Sequence, residues 1–289
     1  MARGPELSDT GYEMIASRWF ILLVAASSLV FGQAPAISKG GVVDAASFSA
    51  GRPVSAGNIV SIFGSNLATK VALADTVPLS SNLANTTVSF NGINAALQFV
   101  APGQINAQIP WNVPVGTANV VVTSQGVPSP AEPVVINSFG PGVYSNNGHA
   151  YALNVQDPTS IRYASFAAPV DTFGTGCSIV PQPSTCAFKA FPARVGDLVI
   201  IYAGGLGPID TVLATGAAPT TVVRTTTTPT LLVNNVPAAP VGFSGMAPGY
   251  PGIYQINATI PQVPAGNAVP FQLQIGGITT PNTTNIAVQ

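Results

Sequence analysis

Charge is what this sequence has least of. Only 7% of its 289 residues are charged, and the formal net charge is −1. Beyond residue 32 the bases stand singly (Lys39, Arg52, Lys70, Arg162, Lys189, Arg194, Arg224) and are matched by as many acids. Nucleic-acid affinity needs clustered Lys and Arg to neutralise phosphates, so nucleic acid is excluded as a partner. Histidine and cysteine are also scarce, at one and two residues. With no D-x-D-x-D-G loop either, the chain has no recognisable zinc or calcium site, and no cofactor is expected. Missing too, beyond residue 33, is any run of Glu, Lys, Arg, Leu and Ala with a 3.6-residue period, which excludes long amphipathic helices.

What is abundant points to an all-β chain. Gly (29) and Pro (27) make up about a fifth of the residues, and hydrophobic residues make up 47%. The latter come in short regular bursts that can bury enough surface to offset chain entropy, which argues against disorder. The length suits two domains, each with its own core.

Residues 1–32 read as an export signal. Arg18 borders an apolar run from Trp19 to Phe31, too short to span a bilayer, which takes about 20 residues. Val30 and Gly32 place small residues for cleavage before Gln33. The mature chain is then secreted or held at the cell surface, with no membrane span. In an exported chain, Cys177 and Cys186 are expected to close a disulfide across their short loop, at a gain of about 2 to 3 kcal/mol.

One stretch occurs twice. Gly103-Gln104-Ile105-Asn106-Ala107-Gln108-Ile109-Pro110 returns as Tyr254-Gln255-Ile256-Asn257-Ala258-Thr259-Ile260-Pro261. The separation is about one domain length, which indicates a duplicated structural unit. Other segments repeat in the same order. Gly57-Asn58-Ile59-Val60-Ser61-Ile62-Phe63 matches Gly196-Asp197-Leu198-Val199-Ile200-Ile201-Tyr202, and the hairpin turn Asn91-Gly92 matches Asn234-Asn235. In the repeated strand Ile105, Ala107 and Ile109 fall on one face, for the core. Gln104, Asn106 and Gln108 fall on the other, and the amides of Gln104 and Asn106, like those of Gln255 and Asn257 in the second copy, are expected to bond adjacent loop backbone. The expected organisation is a first domain over 38–137, a hairpin-bearing and turn-rich connector over 138–194 that holds the disulfide, and a second domain over 195–289.

The run from Gly57 to Leu67, followed by a strand, Asn-Gly, another strand and Ile-Pro-x-x-x-Pro-x-Gly, resembles the IPT/TIG type of immunoglobulin-like domain. A fuller pattern is similar to the Solibacter-type C-terminal domain family. It comprises Val42 to Phe48, Ala101 to Trp111, Ala193 to Asp197 and Tyr202 to Pro208, and the likeness covers roughly residues 41 to 289. That family often follows a larger exported module, so this chain looks like a stand-alone version. The resemblance implies secretion and two tandem immunoglobulin-like (IPT/TIG-like) β-sandwiches, and it brings no catalytic residues.

Candidate chemistry is thin. His149 is the one possible base for a Ser-His-Asp hydrolase, but no G-x-S-x-G elbow accompanies it. Most of the carboxylates that could pair for glycoside hydrolysis sit in expected turns, and Asp197 reads as an acceptor of local backbone hydrogen bonds. Gly204-Gly205-Leu206-Gly207 lacks the Lys-Ser/Thr of a phosphate loop. Trp111 and Tyr250, beside the two copies of the repeated strand, are the candidate ligand contacts, set against a packing role at a domain junction. The resulting expectation is an extracellular non-enzymatic protein that binds or adheres through its domains, with polysaccharide or a surface protein as partner. A carbohydrate-binding module, a hydrolase using His149 and a surface-layer subunit are the alternatives.

Overall fold

The computed structural model describes residues 33–160, 162–173, 189–281 and 284–289. The export segment and both Cys177 and Cys186 lie outside these residues. The described residues form two tandem immunoglobulin-like sandwiches, four sheets in all, with no helix among them.

The main strands of the first sandwich are β1 (Ala36–Asp44), β2 (Ile59–Ser65), β3 (Thr86–Phe90), β4 (Ala96–Val100), β5 (Gln104–Gln108), β6 (Gly116–Ser124) and β7 (Glu132–Asn137). One sheet runs β1-β2-β5-β4, with Ala72–Leu73 at its edge. The facing sheet runs β7-β6-β3 between Val54–Ser55 and Ile93–Asn94. Alternation sends Val60, Ile62, Ile105 and Ala107 inward from one sheet and Val88, Phe90, Val120 and Val122 inward from the other. Asn91 and Gly92 take φ values of 49° and 80°, the twist that a two-residue hairpin turn requires.

The second sandwich repeats this plan with β8 (Ala152–Asn154), β9 (Leu198–Gly204), β10 (Thr230–Val233), β11 (Val241–Met246), β12 (Tyr254–Thr259), β13 (Gly266–Ile275) and β14 (Thr284–Val288). Its sheets run β8-β9-β12-β11 and β14-β13-β10, with short strands at their edges. Gly142–Val143 pairs with β9 and His149–Ala150 with β14, so residues of the expected connector supply strands to this sandwich. The duplication holds to the residue: Ile62 faces Ile105 in the first copy, and Ile201 faces Ile256 in the second. Tyr254, fully buried, donates from its hydroxyl to the Gly207 carbonyl at 2.6 Å, and burial raises its phenol pKa.

The two sandwiches meet backbone to backbone. Gln108 is fully buried; its Nε2 donates to the Gly57 carbonyl at 3.0 Å and its Oε1 accepts from the Gly216 N–H at 2.6 Å. The expected solvent-side position of Gln108 is therefore corrected. Its side chain does point away from the core, but the second sandwich covers that end of the sheet. The Gly140 N–H donates to Gly205 O at 2.9 Å, and Arg52 Nη2 to Thr279 O at 2.6 Å. A Cβ on Gly205 would overlap the Gly140 carbonyl, and its φ of +69° is glycine's own region.

A buried carboxyl group lies in the same junction. Asp44, opposite Val60 at the end of β1, accepts from Asn58 Nδ2 at 2.9 Å and from the Ser47 N–H at 2.7 Å. The second copy carries the same pair with the residue types exchanged: Asn154, opposite Val199, donates to Asp197 at 2.5 Å. The first pair is sealed by Gly204, whose Cβ, if present, would come within 2.7 Å of Asp44 Oδ1. Burial is the largest influence on Asp44 and raises its pKa, with the hydrogen bonds from Asn58 and Ser47 opposing. A raised folded-state pKa means that the stabilising contribution is fully present below the unfolded value and is lost as pH rises through the folded one. We therefore expect the urea midpoint of the native chain to fall, relative to that of Asp44→Asn, as pH climbs from the ordinary carboxylate range towards neutrality. Parallel midpoints for the two proteins across that range would contradict this assignment.

Candidate functional site

The repeated strand of the first sandwich leads directly to a cleft. After β5 the chain passes through Ile109 and Pro110, where Ile109 O accepts from the Gly57 N–H at 3.0 Å, and reaches Trp111. The indole is half-buried. It lies on Gly57 and packs against the core of the second sandwich, as Phe139, Ile209 and Leu213 also do. Its backbone N–H reaches Thr215 Oγ1 at 3.4 Å. The indole Nε1 is buried without a hydrogen-bond partner, so Trp111 presents apolar surface rather than a donor. That surface is one wall of a cleft of about 600 Å³, with Val113, Val115, Ile136, Val212 and Leu213 among the other walls. Val115 and Val212 project freely, at 63% and 98% exposure. The cleft residues other than Trp111 were not singled out from the sequence, because four separate segments, around 56, 111–115, 136–138 and 207–213, supply them and an isolated valine in a loop is no signal.

Tyr250 is 56% exposed and does not line this cleft. It stands close enough to Tyr202 for its charge to add to the effect of burial, which is the main cause of the raised Tyr202 phenol pKa. Its loop reaches the first sandwich at Gly252, where a Cβ would come within 2.7 Å of Ile59 Cδ1. The two candidate aromatics thus flank one junction without sharing a pocket.

His149 does not form a catalytic pair. Nδ1 contacts the Asn147 carbonyl at 3.1 Å and Nε2 the Asn267 carbonyl at 2.9 Å, so both ring nitrogens face backbone oxygens rather than a hydroxyl. Asp197 accepts from the Arg194 N–H at 2.8 Å, the local backbone bond read from its sequence position. It borders a polar pocket of about 290 Å³ with Asn154, Asp157, Arg162 and Arg194. No group of His, Cys, Asp or Glu among the described residues is arranged to hold a metal ion. No helix among them is long and apolar enough to cross a membrane.

The outward amides differ from expectation. Gln104 Nε2 donates to Asn106 Oδ1 at 2.8 Å, and Gln255 Nε2 to Asn257 Oδ1 at 2.8 Å. They bond each other along the strand, two residues apart on one face, rather than bonding loop backbone. Residues two apart on a strand point to the same face, which brings the two side chains within reach of each other.

A family model described as the IPT/TIG domain matches residues 45–136. No curated protein matches the chain. Among solved structures, the chain is similar to the gamma-CGTase from alkalophilic Bacillus clarkii at 15% identity, covering 60% of this chain and 23% of that one, with a TM-score of 0.26. It is also similar to SGBP-B of the Bacteroides ovatus mixed-linkage glucan utilization locus, solved with a mixed-linkage heptasaccharide: 14% identity, 82% and 43% coverage, TM-score 0.32. Against domains 5-6 of the S-layer protein SbsC the values are 11% identity, 88% and 98% coverage, and a TM-score of 0.23. The chain spans less than half the length of the first two.

The contact between Gly57 and Trp111 sets a test of the site. A Cβ on Gly57 would overlap the six-membered ring of Trp111, and the glycine φ is +78°. Gly57→Ala should therefore cost about 1 to 3 kcal/mol, read as a lowered denaturation midpoint. The Trp111 fluorescence should shift to the red as the indole is pushed towards water. An unchanged emission maximum would mean that the ring is not held there.

Proposed function

We propose that the chain is exported and acts outside the cell as a non-enzymatic binding protein, with the junction cleft gripping an apolar group of a surface-protein partner. The carrying observation is the cleft itself, about 600 Å³ and walled by Trp111, Val115 and Val212. Projecting aliphatic groups around an apolar hollow mark an interaction site better than a scatter of single exposed residues does. Export is supported by the Trp19–Phe31 run behind Arg18. The domain limits drawn from the sequence, 38–137 and 195–289, then need the connector's strands Gly142–Val143, His149–Ala150 and Ala152–Asn154 counted with the second domain, and membership of the Solibacter-type family rests on the segments that resemble it. Tyr250, which does not line the cleft, is a separate proposed contact.

The test uses the exported chain as bait for fractionated cell-envelope proteins, beside a Val115→Asp/Val212→Asp variant. Two carboxylates at the mouth should lower the affinity for a captured partner about tenfold or more, since a charge facing apolar surface must be desolvated. Equal capture by both baits would remove the cleft from consideration.

A further inference from the structure

The sheet of each sandwich that contains the repeated strand carries a matching quartet of two aromatic and two amide side chains on its outer face. On β2 and β5, Phe63 stands opposite Gln104, and on β4 Phe99 stands opposite Asn106. On β9 and β12, Tyr202 stands opposite Gln255, and on β11 Phe243 stands opposite Asn257. Directly opposed residues share a face. Their neighbours along the strands, Ile62 and Ile105 or Ile201 and Ile256, point into the cores, so these eight point outward. All eight are half-buried. Phe99 and Phe243 each follow an irregularity in register, after Leu97 and after Val241. A bulge of that kind re-aims the side chain beyond it.

The amides between the rings are fixed by the Gln-to-Asn bonds at 2.8 Å in both copies. In the first copy Ser61 Oγ also donates to Asn106 Oδ1, at 3.0 Å. Those bonds occupy the Gln nitrogens and the Asn oxygens. The Gln oxygens and Asn nitrogens stay open for other partners among the described residues. Further apolar surface extends each face. Leu73, 70% exposed, stands opposite Phe99, and Phe48, 55% exposed at a φ of 52°, holds its ring 6.2 Å from that of Phe63. A bulky side chain in left-handed backbone, left largely in water, gains little from burial to offset its strain. On the second face Tyr250 stands near Tyr202, and Arg224 lies 5.1 Å above the Phe243 ring.

We propose that these two faces are equivalent sites for an uncharged polysaccharide, one on each sandwich. Aromatic rings offer flat apolar surface to the C–H faces of sugar rings, and fixed amides offer a donor and an acceptor to their hydroxyls. The two rings of each quartet lie two strands apart, about 10 Å across the sheet, and two residues offset, about 7 Å along it, with the amide pair between them, so the diagonal pattern on the face is ring, amide, ring. The side-chain chemistry selects the polymer: no member of either quartet carries a formal charge, and the single Arg224 beside Phe243, present on one face only, cannot make both faces sites for a polyanion. This inference rests on the extracellular binding reading but not on the cleft, which belongs to different side chains.

The test is affinity electrophoresis of the exported chain in gels containing soluble β-glucan, amylose or galactomannan, with polygalacturonate and chitosan as charged controls. At least one uncharged polymer should retard the native chain. Phe63→Ala/Phe99→Ala and Tyr202→Ala/Phe243→Ala should each weaken that retardation, by about a hundredfold where both faces engage one polymer, and their combination should abolish it. Asn106→Asp with Asn257→Asp, which removes the open amide donors and adds charge while keeping the rings, should also abolish it, and thermal melting checks the folding of every variant. The Val115→Asp/Val212→Asp cleft variant should be retarded like the native chain, so failure here and failure of the cleft reading are separable. Retardation by charged polymers alone, by no polymer, or undiminished in folded four-site variants overturns the proposal.

Discussion

The junction depends on peptide groups coming within hydrogen-bonding distance across it. Gln108 is the side chain that makes this pay, because its amide donates to Gly57 in its own sandwich and accepts from Gly216 in the other. A buried amide with one end unmet would cost more than the bond at the other end contributes. The contact is therefore all-or-none, and it demands glycine on both sides. Gly205 against Gly140 and Gly204 against Asp44 obey the same constraint, and each would clash if it carried a Cβ. Trp111 is held because Gly57 leaves room for its ring, and the cleft has firm walls because Trp111 is held.

Much of the fold was legible because a strand's alternation is a local property. Ile105, Ala107 and Ile109 are fully buried as their spacing indicated, and the Asn91-Gly92 turn lies where two strand patterns meet. Duplication was legible for the same reason, since the two copies keep the same order of local signals. Alternation does not say what covers the outer face. Gln108 and Gln104 have the same parity in one strand, yet Gln108 is sealed and Gln104 is half-open. The difference comes from where the second sandwich lands, which no window of sequence contains. The cleft was illegible on the same grounds. The four aromatics of the outer faces were half-legible. Phe63 and Tyr202 occupy matching places in the repeat, but matching Phe99 to Phe243 needs the bulges that shift each into register.

The two copies differ where the first meets the second and agree where neither is covered. Thr259 stands in the second copy where Gln108 bridges the junction in the first, and it is half-buried with no such bridge. The Asp44–Asn58 pair is sealed beneath Gly204, whereas its exchanged counterpart, Asn154–Asp197, opens into a polar pocket. Junction duties thus account for the differences. The agreement needs another cause. A core requires Ile at 105 and 256, but it requires nothing of the side chains that point away from it, and the most a sheet asks of such positions is that they suit a pleated surface. Thr or Val would meet that demand. Instead both copies place Gln and Asn two residues apart, join them by the same bond, and set aromatic rings across from each. A pattern kept at positions that packing leaves free is best explained by what lies outside the protein.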